Sequence, residues 1–220
     1  MKNVKISPSI IAVDYENEEV LDRALSAIKD SKIALLHLDV MDGKFVSNKT
    51  FDHTFVEKMK NKTDFILDVH LMIENPIDAL EDYIEAGADI LTVHSEATKE
   101  KTEIALNKIR AHGLLAGLSI NPETDVKTLK PYLEKGLVDV VLLMSVNPGA
   151  CGQKFNAVVF DKIEWLQKYF PKVDIEVDGG INQTNAGPLI EMGAKVLVSG
   201  STIFNSSDIA KTIKELKRGK

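Results

Sequence analysis

Three short runs carry the side chains best suited to chemistry: His37-Leu38-Asp39-Val40-Met41-Asp42-Gly43, Asp68-Val69-His70-Leu71-Met72 and Glu176-Val177-Asp178-Gly179-Gly180. Each reads as the end of a β-strand, where successive side chains point to opposite faces. His37, Asp39 and Met41 therefore share one face, and Asp68, His70 and Met72 share another. The usual sense is reversed, because the aliphatic Leu38 and Val40 take the face that should meet helices. Where such strands converge, the two imidazoles and two carboxylates of His37, Asp39, His70 and Asp178 make a divalent-metal set. Neutral imidazole nitrogen with carboxylate oxygen suits Zn2+ first, and Fe2+, Mn2+ or Co2+ after it; no thiolate joins the group. Singly, each is an ordinary polar residue at a strand end, and only the four together point to a metal.

Phosphate is the second theme. Ser145-Val146-Asn147-Pro148-Gly149-Ala150-Cys151-Gly152-Gln153-Lys154-Phe155 follows one apolar run, Gly179-Gly180 the next, and Ser199-Gly200-Ser201 the last. Glycine lets backbone N–H groups approach an anion, and a following helix N-terminus adds about half a positive charge, so such loops hold phosphate without a cationic side chain.

The elements that would position these residues are legible along the chain. Val4 to Ile11, Ile33 to Val40, Phe65 to Met72, Asp89 to His94, Leu114 to Ile120, Val138 to Val146, Val173 to Val177 and Lys195 to Ser199 read as strands. Amphipathic stretches such as Glu18 to Lys29, Pro76 to Ala86, Lys101 to Ala111, Val126 to Glu134, Val158 to Tyr169 and Asn182 to Met192 lie between them. That alternation fits a (β/α)8 TIM barrel and also a doubly wound sheet. The repetition runs from end to end with no linker or change of composition, which favours one α/β barrel domain over residues 1–220. Active sites of such barrels lie at the C-terminal ends of the strands, where the three runs end.

Composition narrows the function classes. The 220 residues are 44% hydrophobic, enough for a core that needs no staple, and the net charge of -6 with no basic face argues against nucleic acid. A lone Cys151 cannot form an internal disulfide. With no signal-peptide pattern and no run near the roughly 20 apolar residues of a membrane span, the expectation is a cytoplasmic protein with no membrane partner.

With Ser7-Pro8-Ser9 and Met144-Ser145-Val146-Asn147-Pro148-Gly149 added to the three runs, the sequence resembles the ribulose-phosphate 3-epimerase family nearly end to end. The resemblance implies a (β/α)8 barrel that inverts the carbon beside the ketone of a phosphorylated ketose, D-ribulose 5-phosphate to D-xylulose 5-phosphate. It implies one divalent ion on His37, Asp39, His70 and Asp178, with Asp39 and Asp178 also the acid/base pair. It further implies that Met41, Met72 and Met144 cap an enediolate, and that Ser9, His70, Gly149, Ala150, Cys151, Gly152, Gly179, Gly180, Gly200 and Ser201 contact substrate. A homo-oligomer and a pentose phosphate role are also implied. The six-carbon relative, D-allulose 6-phosphate 3-epimerase, is the nearest alternative, although Val177-Asp178-Gly179-Gly180-Ile181 looks more like the pentulose enzyme. A non-catalytic sugar-phosphate-binding barrel is a third reading, but it would have no need of both aspartates.

Several positions depart from the family pattern. Lys44 and Ser47 replace a His and a Pro, Asp52 stands where Gly is usual, and Ala150-Cys151 replaces Phe-Gly. These bear on substrate size and affinity more than on reaction type. His94 reads as a hydrogen-bonded structural histidine, His53 and His112 as helix-edge or surface residues, and Trp165 as a packing residue beside Ile163, Leu166 and Phe170. None of these four is assigned chemistry.

Overall fold

The apolar runs fold as eight parallel strands: β1 Lys5–Pro8, β2 Leu35–Met41, β3 Ile66–Met72, β4 Ile90–His94, β5 Leu115–Ile120, β6 Val140–Met144, β7 Asp174–Asp178 and β8 Val196–Ser199. The structure, a computed structural model, describes residues 4–150 and 152–220. Hydrogen-bonded neighbours run β1-β8-β7-β6-β5-β4-β3-β2, and a parallel bridge between Ser9 and His37 brings the two ends together in a nearly closed barrel. The first strand stops at Pro8 rather than reaching Ile11; proline has no N–H to continue a ladder, and Ile10–Ala12 turns as 3-10 helix.

The α-helices are α1 Glu18–Asp30, α2 His53–Lys62, α3 Pro76–Glu85, α4 Ser95–Thr98, α5 Thr102–Ala111, α6 Lys130–Glu134, α7 Val158–Tyr169, α8 Gln183–Met192, α9 Ser201–Phe204 and α10 Ile209–Arg218. Their starts are set by local chemistry. Asn17 caps α1 by accepting from Glu19 and Val20 N–H, and Asn182 with Asn185 forms a capping box on α8. Asp52 caps α2 through Thr54 N–H, which accounts for an acid where the family has glycine. Among the described residues, no helix is long and apolar enough to cross a membrane.

Two cores result from strand alternation. Leu36, Leu38 and Val40 of β2 face outward and pack with Leu21, Leu25 and Ile28 of α1 and Val56 and Met59 of α2. Inside the barrel, Leu35, Ile90, Val140 and Val196 form an apolar floor, one residue from each even-numbered strand. Above this floor the interior turns polar: Ser7, His37, Asp68, Thr92 and Glu176 are all buried. Higher still, Met41, Val46 and Met72 pack on one side of the mouth, and Leu142, Met144 and Val146 on the other.

The polar layer leaves little slack. A Cβ on Gly117 of β5 would lie 2.0 Å from Thr92 Oγ1 and 3.0 Å from Thr92 Cα on β4, so rotating the threonine cannot clear it. Gly117→Ala should destabilise the barrel by about 1–3 kcal/mol, the usual cost of overpacking a filled interior. Urea unfolding measures this, and an unchanged midpoint would show that the strands part without cost.

Candidate active site

Asp39 stands at the centre of the site. Its Oδ2 accepts from Ser9 Oγ at 2.5 Å, while its Oδ1 lies 3.0 Å from His70 Nδ1 and 3.2 Å from His37 Nε2. Thr50 holds the end of β2 by donating to Asp39 O at 2.7 Å and accepting from Met41 N. On the far wall, Ser145 ties down the end of β7: its backbone N–H and its hydroxyl both donate to Asp178 O, at 2.7 and 2.9 Å. The Asp178 carboxylate thereby comes within 4.0 Å of His70 Nδ1.

The four residues expected to ligate a metal come together. One ligand atom from each of His37, Asp39, His70 and Asp178 lies within 4.8 Å of all the others. His37 Nε2 is buried and has no hydrogen-bond partner, an arrangement that wastes a polar atom unless a ligand takes it. Imidazole and carboxylate donors at this spacing fit a divalent ion.

One layer deeper lie residues that the sequence reading gave no role. His37 Nδ1 bonds Asp68 Oδ2 at 2.8 Å, and Ser7 Oγ donates to the same oxygen at 2.9 Å. A carboxylate oxygen of Glu176 lies within 4.8 Å of one from Asp68, and two buried acids so close are accommodated when one of them keeps a proton. Burial, reinforced by Asp68, pushes Glu176 well above the ordinary carboxylate range and so supplies that proton. This lower group of His37, Asp68 and Glu176 thus holds a proton and orients His37, as carboxylate partners of metal-bound histidines do. The same two-residue alternation that placed His70 and Asp178 points to Asp68 and Glu176, one layer further in.

The two aspartates of the upper layer differ in charge. Burial raises Asp39, but the His37 charge and the two imidazoles close to its Oδ1 override it and hold the carboxyl well below its usual range. Asp178 lacks those bonds, so burial and then the Asp39 charge raise it to about 7. Burial lowers His37, yet Asp68 and Asp39 carry it well above its ordinary value. His70, in contrast, is pushed down to about 4, chiefly by burial.

Above these groups opens a cavity. Asp39, Asp178, Ser9, Met41, Met72 and Met144 line its inner part; Gly149, Ala150, Gly152, Gly179, Gly180, Gly200 and Ser201 line its outer part. Cys151 lies outside the described residues. His37 and His70 are fully buried behind the wall, so His70 joins the ligand set without lining the cavity. Among the described residues no lysine or arginine lines it. Gly180 has φ +61°, and a Cβ there would meet Gln153 O and Phe155 N at 2.8 Å, so only glycine lets the two loops close on each other. The loop after β2, where Ser47 replaces the family's proline, is pinned: Asp42 accepts from Lys44, Phe45 and Glu74 N–H, and Asn48 Nδ2 donates to Gly149 O at 2.6 Å. His94, expected to be structural, faces inward with Nε2 2.7 Å from His70 Nε2. His53 packs edge-on against Tyr83, and His112 caps α5 through Lys108 O, both away from the cavity.

Comparison with known proteins agrees with this geometry. The model of the Ribulose-phosphate 3 epimerase family matches residues 5–204. The ribulose-phosphate 3-epimerase of Bacillus subtilis is 39% identical over 222 residues, covering 99% of this chain and all of that protein. A chloroplastic ribulose-5-phosphate-3-epimerase of Arabidopsis thaliana is also 39% identical, over 99% of this chain and 78% of its own. Among solved structures, the 3-hexulose-6-phosphate synthase of Salmonella typhimurium superposes with a TM-score of 0.74 over 98% of this chain and 98% of its own; at 16% identity it shares the fold.

A raised Asp178 has a consequence for metal-free protein. Between its ordinary 3.8 and about 7, the folded state keeps a proton that the unfolded chain has released. This group's contribution to stability is therefore greatest at low pH and declines as pH rises through that window. Metal-free Asp178→Asn, which cannot ionise, should gain stability relative to the parent as pH climbs from 4 to 8, read from urea midpoints. A difference independent of pH would show that Asp178 titrates as an ordinary surface acid.

Proposed function

The chain belongs to the ribulose-phosphate 3-epimerase family, and from that premise we propose that it converts D-ribulose 5-phosphate to D-xylulose 5-phosphate by passing protons between Asp39 and Asp178. The observation that carries this reading is the pair itself: two carboxylates on one cavity, from β2 and β7, with pKa values driven in opposite directions. Inversion at carbon requires a proton to leave one face and another to arrive on the opposite face. The ionised carboxylate accepts the proton from C3, leaving an enediolate, and the neutral acid donates its own proton to the other face. Each group ends in the state its partner began in, so the reverse reaction uses the same pair with roles exchanged. A divalent ion, Zn2+ first among the candidates, would be held by His37, Asp39, His70 and Asp178, and when bound it supplies the positive charge that makes a proton beside a ketone acidic enough to transfer.

The other lining residues support this chemistry. Met41, Met72 and Met144 are nearly fully buried and present uncharged, polarisable side chains to the cavity, which excludes water from a carbanion-like intermediate. Ser9, hydrogen-bonded to Asp39, fixes that carboxylate's orientation. The phosphate is assigned to backbone N–H groups around Gly149, Ala150, Gly152, Gly179, Gly180, Gly200 and Ser201, a choice favoured by the absence of a cationic side chain from the described lining.

A coupled assay on D-ribulose 5-phosphate and D-allulose 6-phosphate, run before chelation, after it and after reloading with zinc, tests the proposal. Turnover should favour the pentulose phosphate, vanish on chelation while circular dichroism stays native, and return with the metal. Full activity in protein shown by elemental analysis to be metal-free would overturn the metal assignment. Preference for the hexulose phosphate would overturn the substrate, and no turnover of either would leave a binding barrel.

A further inference from the structure

His94 and Glu96 belong neither to the four-residue ligand set nor to the cavity wall, yet they form a chain that runs from the half-buried Glu96 through the buried His94 to His70. The rings of His70 and His94 lie within 24° of parallel with centroids 4.9 Å apart, so their 2.7 Å Nε2···Nε2 contact runs edge to edge. Two imidazole nitrogens at that distance need one proton between them, given by one ring and accepted by the other. The donor is decided at the far end. His94 Nδ1 lies 3.3 Å from Glu96 Oε2, while Glu96 Oε1 accepts from Asn121 N–H at 2.8 Å and from the Thr124 hydroxyl.

We propose that Glu96 and His94 are positioning residues that set the tautomer of His70, holding its proton on Nε2 so that Nδ1 offers a lone pair to the metal. Burial raises Glu96, but hydrogen bonds from His94, Asn121 and Thr124 hold it at about 2, so it is a carboxylate that only accepts. His94 must then carry its proton on Nδ1, which leaves its Nε2 as acceptor. His70 fills that acceptor with Nε2–H and keeps Nδ1 bare, 3.0 Å from Asp39. Without the carboxylate nothing fixes the direction of the chain, and Asp39 would draw the His70 proton onto the nitrogen the metal needs. The relay presupposes the proposed metal assignment of His70.

Glu96→Gln tests this without changing shape. A glutamine satisfies Asn121 and Thr124 with its carbonyl and turns its NH2 toward His94 Nδ1, reversing every donor along the chain. Zinc affinity, measured by competition with a chromophoric chelator, should fall by about 10- to 100-fold, the usual effect of losing a partner of a metal-bound histidine. In ¹⁵N-histidine spectra of zinc-loaded protein, the His94 proton should sit on Nδ1 in the parent and on Nε2 in Glu96→Gln. Thr124→Val removes a bond to the other carboxylate oxygen and should keep both the parent tautomer and the parent affinity; an equal loss there would reduce Glu96 to a staple between loops and overturn the proposal. Unchanged zinc affinity in Glu96→Gln would overturn it as well. Should that variant fail to fold, the parent spectrum decides, because a His94 proton on Nε2 while zinc shifts His70 Nδ1 contradicts the relay. Zinc that leaves the His70 resonances of the parent untouched would remove the metal assignment and the relay with it.

Discussion

An ionised group inside a barrel must be compensated on the spot, since burying it unpaired costs several kcal/mol even after relaxation. The 2.8 Å bond from His37 Nδ1 to Asp68 is where this protein meets that demand. It keeps Asp68 charged below the site, which obliges Glu176 to keep a proton. It also turns His37 so that Nε2 faces Asp39, and the resulting charge holds Asp39 ionised. Asp178 then meets a carboxylate that is already charged, and rises. The difference between the two aspartates on which the proposed chemistry depends is thus inherited from a residue pair that never touches the cavity.

Backbone clamps make this electrostatic arrangement rigid. Thr50 fixes the end of β2 and Ser145 the end of β7, so both carboxylates are set by strands rather than by mobile loops. The glycine-rich loops at the cavity mouth are held in turn by the Gly180 close approach and by Asn48 reaching across to Gly149. The methionine clusters on both sides flank the upper layer with apolar side chains, which preserves the low-dielectric conditions under which the pKa values diverge.

Much of this was legible in sequence because strand alternation is local. His37, Asp39 and Met41 had to share a face, and with a barrel assumed that face could only be the interior. All eight strands fall where the apolar runs predicted, and His37, Asp39, His70 and Asp178 converge. Asp68 and Glu176 obey the same alternation, but nothing local says that they meet each other beneath His37; that depends on register between β2, β3 and β7. His94 is buried and hydrogen-bonded as expected, but that its partner is His70, 24 residues away on a neighbouring strand, is nothing a local pattern gives. Asp52 looked like a departure and is a helix cap, a signal present in Asp52-His53-Thr54 but masked by comparison with a glycine.

The central claim, that Asp39 and Asp178 serve opposite faces of one intermediate, is tested most directly by isotope exchange. Asp39→Asn and Asp178→Asn are prepared with metal content confirmed, and each is given each epimer in heavy water. Epimerisation should fall by about 10²–10⁴-fold, as when a general acid or base is lost. Each variant should still exchange the C3 proton of the one epimer that faces its remaining carboxylate, and leave the other epimer unlabelled. Equal deuterium uptake from both epimers by both variants would mean a single mobile base and would contradict the account.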